Sequence, residues 1–353
     1  MADKTDAVAG SRLTWPDGAL VKPLPKALLA LARNHALLLV FALLMMVGGA
    51  TSEYFLTVGN INDLLRSMAV PGLLALGVTF VLLVGRIDLS MGAAMIFCPI
   101  MGITVMGGLG DLIGFDAVTP TNSYKGGAIG MILIALAAGT VIGLANAVGV
   151  LYARVAAFIT TLAMMQALRG LNYVVTDGQP YYIQSPSYTW MGELDVFGLL
   201  PFSFIVYAAC LLAAIWGLRR TTIGRRLYAV GGNEAAARLA GINTHVWIAF
   251  AFALNGVLSA LAGILFTSRL QSVDAPMASG FELTAIAFAV VGGVSLRGGR
   301  GRPYNAFIGT LVISTLLQLF NIWGLQTSYQ TLATGVIIIV VVIFDRFVTR
   351  QRV

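Results

Sequence analysis

Apolar runs of about twenty residues recur along the chain, each set off from the next by a polar or glycine-rich break. They fall at 34–51, 64–84, 88–108, 126–152, 156–175, 198–218, 246–267, 281–296, 303–322 and 328–345. A helix rises about 1.5 Å per residue, so roughly 20 apolar residues cross the ~30 Å hydrocarbon layer of a bilayer. The pattern predicts an all-α, polytopic membrane protein of about ten transmembrane helices. The run at 281–296 is short for a span, and 64–84 and 88–108 are tightly joined. The chain divides into a polar leader at 1–33, a transmembrane domain at 34–345 and a short tail at 346–353. The first run lacks a small-residue cleavage signal and reads as a retained span.

One break is unlike the others. Residues 219–245 open on Arg219-Arg220-Thr221-Thr222-Ile223-Gly224-Arg225-Arg226, which suits the charged end of a span. A plain connector could stop there. Instead an Ala-rich helix follows, led in by Gly231, Gly232 and Asn233. Glu234 and Arg238 stand at i and i+4, Glu234, Ala235, Ala236 and Leu239 are expected to form the contact face, and Gly241 closes the helix before Ile242. A short capped helix in a basic loop between spans reads as a docking element for a cytoplasmic partner.

Composition supports the membrane reading. Of 353 residues, 58% are hydrophobic and only 10% charged, and mean hydropathy is +0.87. A soluble chain of this length is nearer one quarter charged, so no large soluble domain fits. Placing both termini inside puts every Lys and Arg except Arg66, Lys125, Arg169 and Arg269 on the cytoplasmic side. An odd number of spans would destroy that asymmetry. The net charge of +7 then sets topology and meets anionic membrane lipid, and no nucleic-acid partner is expected. Cys98 and Cys210 each lie inside an apolar run and predict no disulfide framework. With only His35 and His245, no histidine-based metal site is expected.

Small residues repeat at helical spacing inside the runs: Ala135, Gly139 and Gly143; Asn255, Ser259 and Gly263; Glu282, Ala285, Ala289 and Gly293. Such stripes let helices approach closely. An amide within a span faces a bundle interior or a watery cavity. Asn146, Gln166 and Asn255 are therefore either packing contacts or candidates to line a translocation pathway. The outer loop at about 176–197 carries Tyr181, Tyr182, Tyr188 and Trp190, which suit an interfacial belt or a docking surface equally. Two turns, 85–92 and 292–299, share Gly, then Leu at the fifth position and Gly at the eighth, with Asp88 placed to cap the third span. Gly298 to Gly301 lacks the spacing of a phosphate loop, so nucleotide binding is not expected in this chain.

Three segments also resemble a known family. Residues 85–92 (Gly-Arg-Ile-Asp-Leu-Ser-Met-Gly), Ala229 with Gly231 through Ile242, and Glu282 through Gly301 match, in order, motifs of the permease subunits of bacterial ribose-type monosaccharide ABC importers. Residues 157–171 are similar to the family's fifth-span region, and the likeness covers nearly all of 35–345. It departs at Arg86, Thr284 and Arg297. The resemblance implies a dimeric channel in the bacterial inner membrane, with a homodimer expected. It is fed by a periplasmic sugar-binding protein and driven by a cytoplasmic ABC ATPase that binds ATP and Mg. No cofactor is expected in this chain. It also implies that 231–242 is the coupling helix.

Other classes stay open. An importer for branched-chain amino acids or nucleosides shares the coupling-helix style. An ion-coupled secondary transporter would carry ionisable groups at mid-membrane, whereas Arg169 and Glu282 lie toward run ends. A membrane enzyme is disfavoured because the runs hold no paired carboxylates and no Ser/His/Asp set.

Overall fold

The computed structural model describes residues 26–112, 123–277 and 279–336. They hold the helices α1 (Lys26–Thr51), α2 (Val58–Leu83), α3 (Met91–Leu112), α4 (Ala128–Leu151), α5 (Ala157–Thr176), α6 (Pro186–Glu193), α7 (Phe202–Arg220), α8 (Thr222–Gly232), α9 (Glu234–Leu239), α10 (Thr244–Leu270), α11 (Phe281–Val291) and α12 (Pro303–Ile322). Another helix runs from 327 to the last described residue, 336. Short strands β1 (Ser123–Tyr124), β2 (Tyr181–Ile183) and β5 (Ser272–Val273) form one small sheet, and β3 (Asp195–Val196) pairs with β4 (Leu200–Pro201).

Six helices, α2, α3, α4, α7, α10 and α12, are long and apolar enough to cross a membrane, while α11 and the Leu37–Thr51 stretch of α1 are shorter apolar helices. The long helix α5 carries Gln166, Arg169 and Asn172 among its apolar residues, which dilutes its hydropathy. Centrally placed, α2 packs against α10, α12, α11 and α7, and α10 packs in turn against α4 and α3. The small-residue stripe explains the α4–α10 crossing. A Cβ on Gly143 would overlap the Phe252 carbonyl, and one on Gly139 would overlap the Gly256 carbonyl. The far face of α4 leaves Ile129, Leu133, Val141 and Val148 exposed, as a lipid-facing surface should.

The two ends of the bundle differ. At one end Gly299 N–H donates to the Leu83 carbonyl at 2.9 Å, and the Tyr228 hydroxyl donates to Gly301 O at 2.7 Å. Arg86, the α8 arginines and Arg297 to Arg302 gather there. The opposite end holds both small sheets, α6, and the ion pair from Arg66 to Asp195 at 2.5 Å. Tyr188 is fully buried, and its hydroxyl donates to Ile264 O at 3.0 Å and lies 2.7 Å from Thr267 Oγ1. That tyrosine locks α6 onto α10; Tyr182, Trp190 and Phe197 are the exposed aromatics of the loop.

Several boundaries differ from the sequence expectation. Helix α1 is already formed at Lys26, inside the expected leader, because Ala and Leu dominate its first two turns. The loop 219–245 holds two helices rather than one, since α8 carries its own amphipathic pattern and its own N-cap at Thr221. The run 281–296 is helical only to Val291, because Gly292 and Gly293 end it. Expectations for 1–25, for 337–345 of the tenth run and for the tail at 346–353 lie outside the described residues.

The crossing yields a prediction. Gly143→Leu should abolish recovery of folded chain in mild detergent, because backbone blocks relief of the overlap. Leu133→Ala, on the exposed face, should leave the thermal aggregation midpoint within about 2 °C of the parent.

Candidate functional site

The arginine-rich end is built from three chain reversals of one kind. In each, a glycine with positive φ follows a helix: Gly85 (+72°), Gly241 (+81°) and Gly293 (+101°). After α2, Arg86 N–H donates to Val81 O and Gly85 N–H to Leu82 O. After α9, Ile242 N–H donates to Ala237 O and Gly241 N–H to Arg238 O. After α11, Val294 N–H donates to Ala289 O and Gly293 N–H to Val290 O. This paired 6→1 and 5→2 bonding satisfies the last carbonyls, and the left-handed residue it needs is cheapest as glycine. Each of the three sequence motifs thus contributes one sharp helix stop, and the motifs meet where Gly298 packs on Gly85 and Gly299 on Gly232.

Within the first turn lies Asp88, 2% exposed. Its Oδ1 accepts from Ser90 N–H at 2.8 Å and Ser90 Oγ at 2.7 Å, and its Oδ2 accepts from Asn255 Nδ2 at 2.9 Å. Asn146 Nδ2 donates to Ser90 Oγ at 2.8 Å. Burial pushes the Asp88 carboxyl above its ordinary range, and these hydrogen bonds pull it back. Capping of α3 falls to Ser90, whose carbonyl accepts from Ala94 N–H. Asp88 instead braces Ser90 and reaches across to α10. The related second turn repeats the local part only: Ser295 Oγ accepts from Arg297 N–H at 3.2 Å.

Asn146 and Asn255 are therefore fully buried partners of this cluster. Gln166 lies apart, on the exposed face of α5. Arg169 and Glu282 pair at 2.7 Å near the opposite end, with the Glu282 side chain only 7% exposed.

Helix α9 sits over the first turn. Asn233 is its N-cap and accepts from Ala236 N–H at 3.0 Å. Glu234 accepts from Arg86 at 2.8 Å and from Arg238 at 3.0 Å, and Thr244, the first residue of α10, completes the set at 3.4 Å. Glu234 thus turns inward, away from the face expected to share it with Ala235, Ala236 and Leu239. Ala237 is buried beneath, while Gly232, Ala235, Ala236, Leu239 and Gly241 stay exposed and Ile242 is half-buried. Leu239 is 91% exposed.

All three motifs fall within residues 60–342, the region matched by the family described as "Branched-chain amino acid transport system / permease component". The chain belongs to this permease family. The permease is 35% identical over 321 residues to the ribose import permease protein RbsC of Haemophilus influenzae, covering 90% of this chain and 93% of that protein. It is 37% identical over 309 residues to RbsC of Bacillus subtilis, covering 86% and 90%. To the L-arabinose transport system permease protein AraH of Escherichia coli it is 34% identical over 321 residues, covering 90% and 92%. No solved structure matches it. The permease is a multi-pass inner-membrane transport subunit, not an enzyme.

Sequence reasoning missed the Arg86–Glu234 contact, which joins residues 148 positions apart. The available signal was an arginine in one motif and a carboxylate in the next.

Asp88→Ala should destabilise the permease by about 3 kcal/mol or more, since three donors lose one buried acceptor. Asp88→Asn should cost less, because an amide still offers one oxygen to Ser90 and the Asn255 amide can turn its unbonded oxygen toward the new donor. Thermal unfolding in detergent separates the two; equal stability of Asp88→Ala and the parent would show that the cluster does not hold the turn.

Proposed function

We propose that the permease is the membrane subunit of an ATP-driven importer that passes a monosaccharide or related polyol from a periplasmic binding protein to the cytoplasm. The relatives named for ribose and arabinose support the substrate class. The single observation that carries the mechanism is the outward face of α9: two alanines and a leucine, exposed at the arginine-rich end on a helix braced from beneath by charged contacts. An exposed leucine backed by small residues suits insertion into a groove on a partner. That partner is a cytoplasmic ABC ATPase, and ATP and Mg belong to it. Residues 232–236, Arg238, Leu239, Gly241 and Ile242 form the docking unit, with Glu234 and Arg238 holding its base.

The concentration of arginines at that end supports a cytoplasmic assignment for it and for both termini, with about ten spans in all. A second copy of the chain completes the channel. The exposed face of α5, where Gln166 stands among Leu162, Ala163 and Gly170, suits that role, because a polar amide facing lipid is costly. The buried amides of Asn146 and Asn255 serve the Asp88 cluster. Branched-chain amino acids, favoured by the family's description alone, or nucleosides are the alternative cargo. Ion coupling is disfavoured, because Glu282 is paired near one end and Asp88 is fully engaged by donors.

Two measurements test this. In a background lacking Cys98 and Cys210, an impermeant thiol reagent applied outside intact cells should label Phe197→Cys and spare Leu239→Cys; labelling of position 239 would reverse the orientation. Ala236→Trp should leave the permease in the membrane at parent abundance but lower sugar uptake at least tenfold and release the ATPase from the purified complex. Parent-level uptake in that variant would sink the docking assignment.

A further inference from the structure

Below α8, a cavity of about 930 Å3 opens between α7, α8 and the turn leading into α12. Arg219, Arg300 and Arg302 line it, and none of its lining residues is acidic. Among the described residues none of the three forms an ion pair; the carboxylate partners are taken by Arg66, Arg86, Arg169 and Arg238. Three cations around one cavity repel one another, and an anion within it relieves that repulsion. The neighbouring surface is apolar. Leu212 and Trp216 are each 65% exposed on α7, and they stand at i, i+4 and i+7 with Arg219, so one stripe of the helix runs from hydrocarbon to charge. Tyr304, 47% exposed at the start of α12, faces the same cavity. Exposed Trp and Tyr mark the depth of lipid headgroups.

We propose that this cavity is a binding site for an anionic phospholipid, with its phosphate among Arg219, Arg300 and Arg302 and its acyl chain along Leu212 and Trp216. A free phosphate shares the headgroup chemistry but gains nothing from the apolar stripe, and this is why the site is assigned to lipid. Tyr228, whose hydroxyl holds Gly301 O at 2.7 Å, ties the cavity wall to α8. A lipid seated there braces the loop that α8 and α9 stand on. The site does not depend on the substrate or on the docking role of α9, and it can be tested on the isolated permease.

The test uses the full chain in mild detergent with a photoactivatable phosphatidylglycerol. Crosslinks should map to 212–219 and 300–305. Excess phosphatidylglycerol should suppress them at least tenfold more effectively than excess phosphatidylcholine, and inorganic phosphate should not suppress them. Crosslinks confined to other segments, or equal competition by phosphatidylcholine, would overturn the proposal. Competition by inorganic phosphate alone would assign the cavity to a soluble anion and equally overturn it. As a second arm, the triple change Arg219→Ala, Arg300→Ala and Arg302→Ala should weaken phosphatidylglycerol binding about tenfold in native mass spectrometry. The same charge removed at Arg220, Arg225 and Arg297, which lie outside the cavity, should leave binding within twofold of the parent.

Discussion

A carboxylate removed from water must be compensated by its neighbours, and Asp88 shows how much of this fold that requirement organises. Desolvating an ion costs several kcal/mol, and only well-placed donors repay it. Here the donors come from the start of α3 and from α10, and Asn146 of α4 joins through Ser90. Satisfying one buried charge therefore fixes the break between α2 and α3 and sets how α4 and α10 meet above it. The close crossing of α4 and α10 at Gly143 and Gly139 is the apolar half of the same arrangement: backbones that approach so nearly leave room for the two amides to converge.

From this junction the chain leads directly to the surface. Arg86 follows the glycine stop of α2 and meets Glu234 of α9 two residues before Asp88 is reached. Both side chains of that pair are about one-third exposed, so solvent screens it and its contribution to stability is about 0–1 kcal/mol. Its value is positional. Glu234 also binds Arg238 and Thr244, so a single carboxylate aligns α9 with the α2–α3 turn and with the first residue of α10. In the proposed docking role, a push on α9 would reach helices that enclose the bundle core through these contacts.

Much of this was legible in the sequence. The apolar runs located the long helices because hydropathy over twenty residues is a strong signal. Glu234, Arg238 and Gly241 announced α9 because helix pairing and glycine caps are local chemistry. The sequence marks Asn146 and Asn255 as packing or pathway amides within spans but does not give their common partner, since nothing in local spacing says that residues 146 and 255 converge on residue 88. The inward turn of Glu234 was hidden for the same reason: a helical wheel groups it with Ala235, and only the distant Arg86 decides which way it faces. Helix α8 hides in the sequence because its amphipathic pattern is short and carries arginines that suit a span end.

In the proposed importer, Arg86 and Glu234 act as one unit between α9 and the bundle. The direct test is a double-mutant cycle with Arg86→Ala, Glu234→Ala and both together, read as sugar-stimulated ATP hydrolysis by the reconstituted importer. If the pair is the link, each single change lowers stimulation and the double variant is no worse than the more affected single. Full additivity of the two effects, or unimpaired stimulation in either single variant, would contradict it.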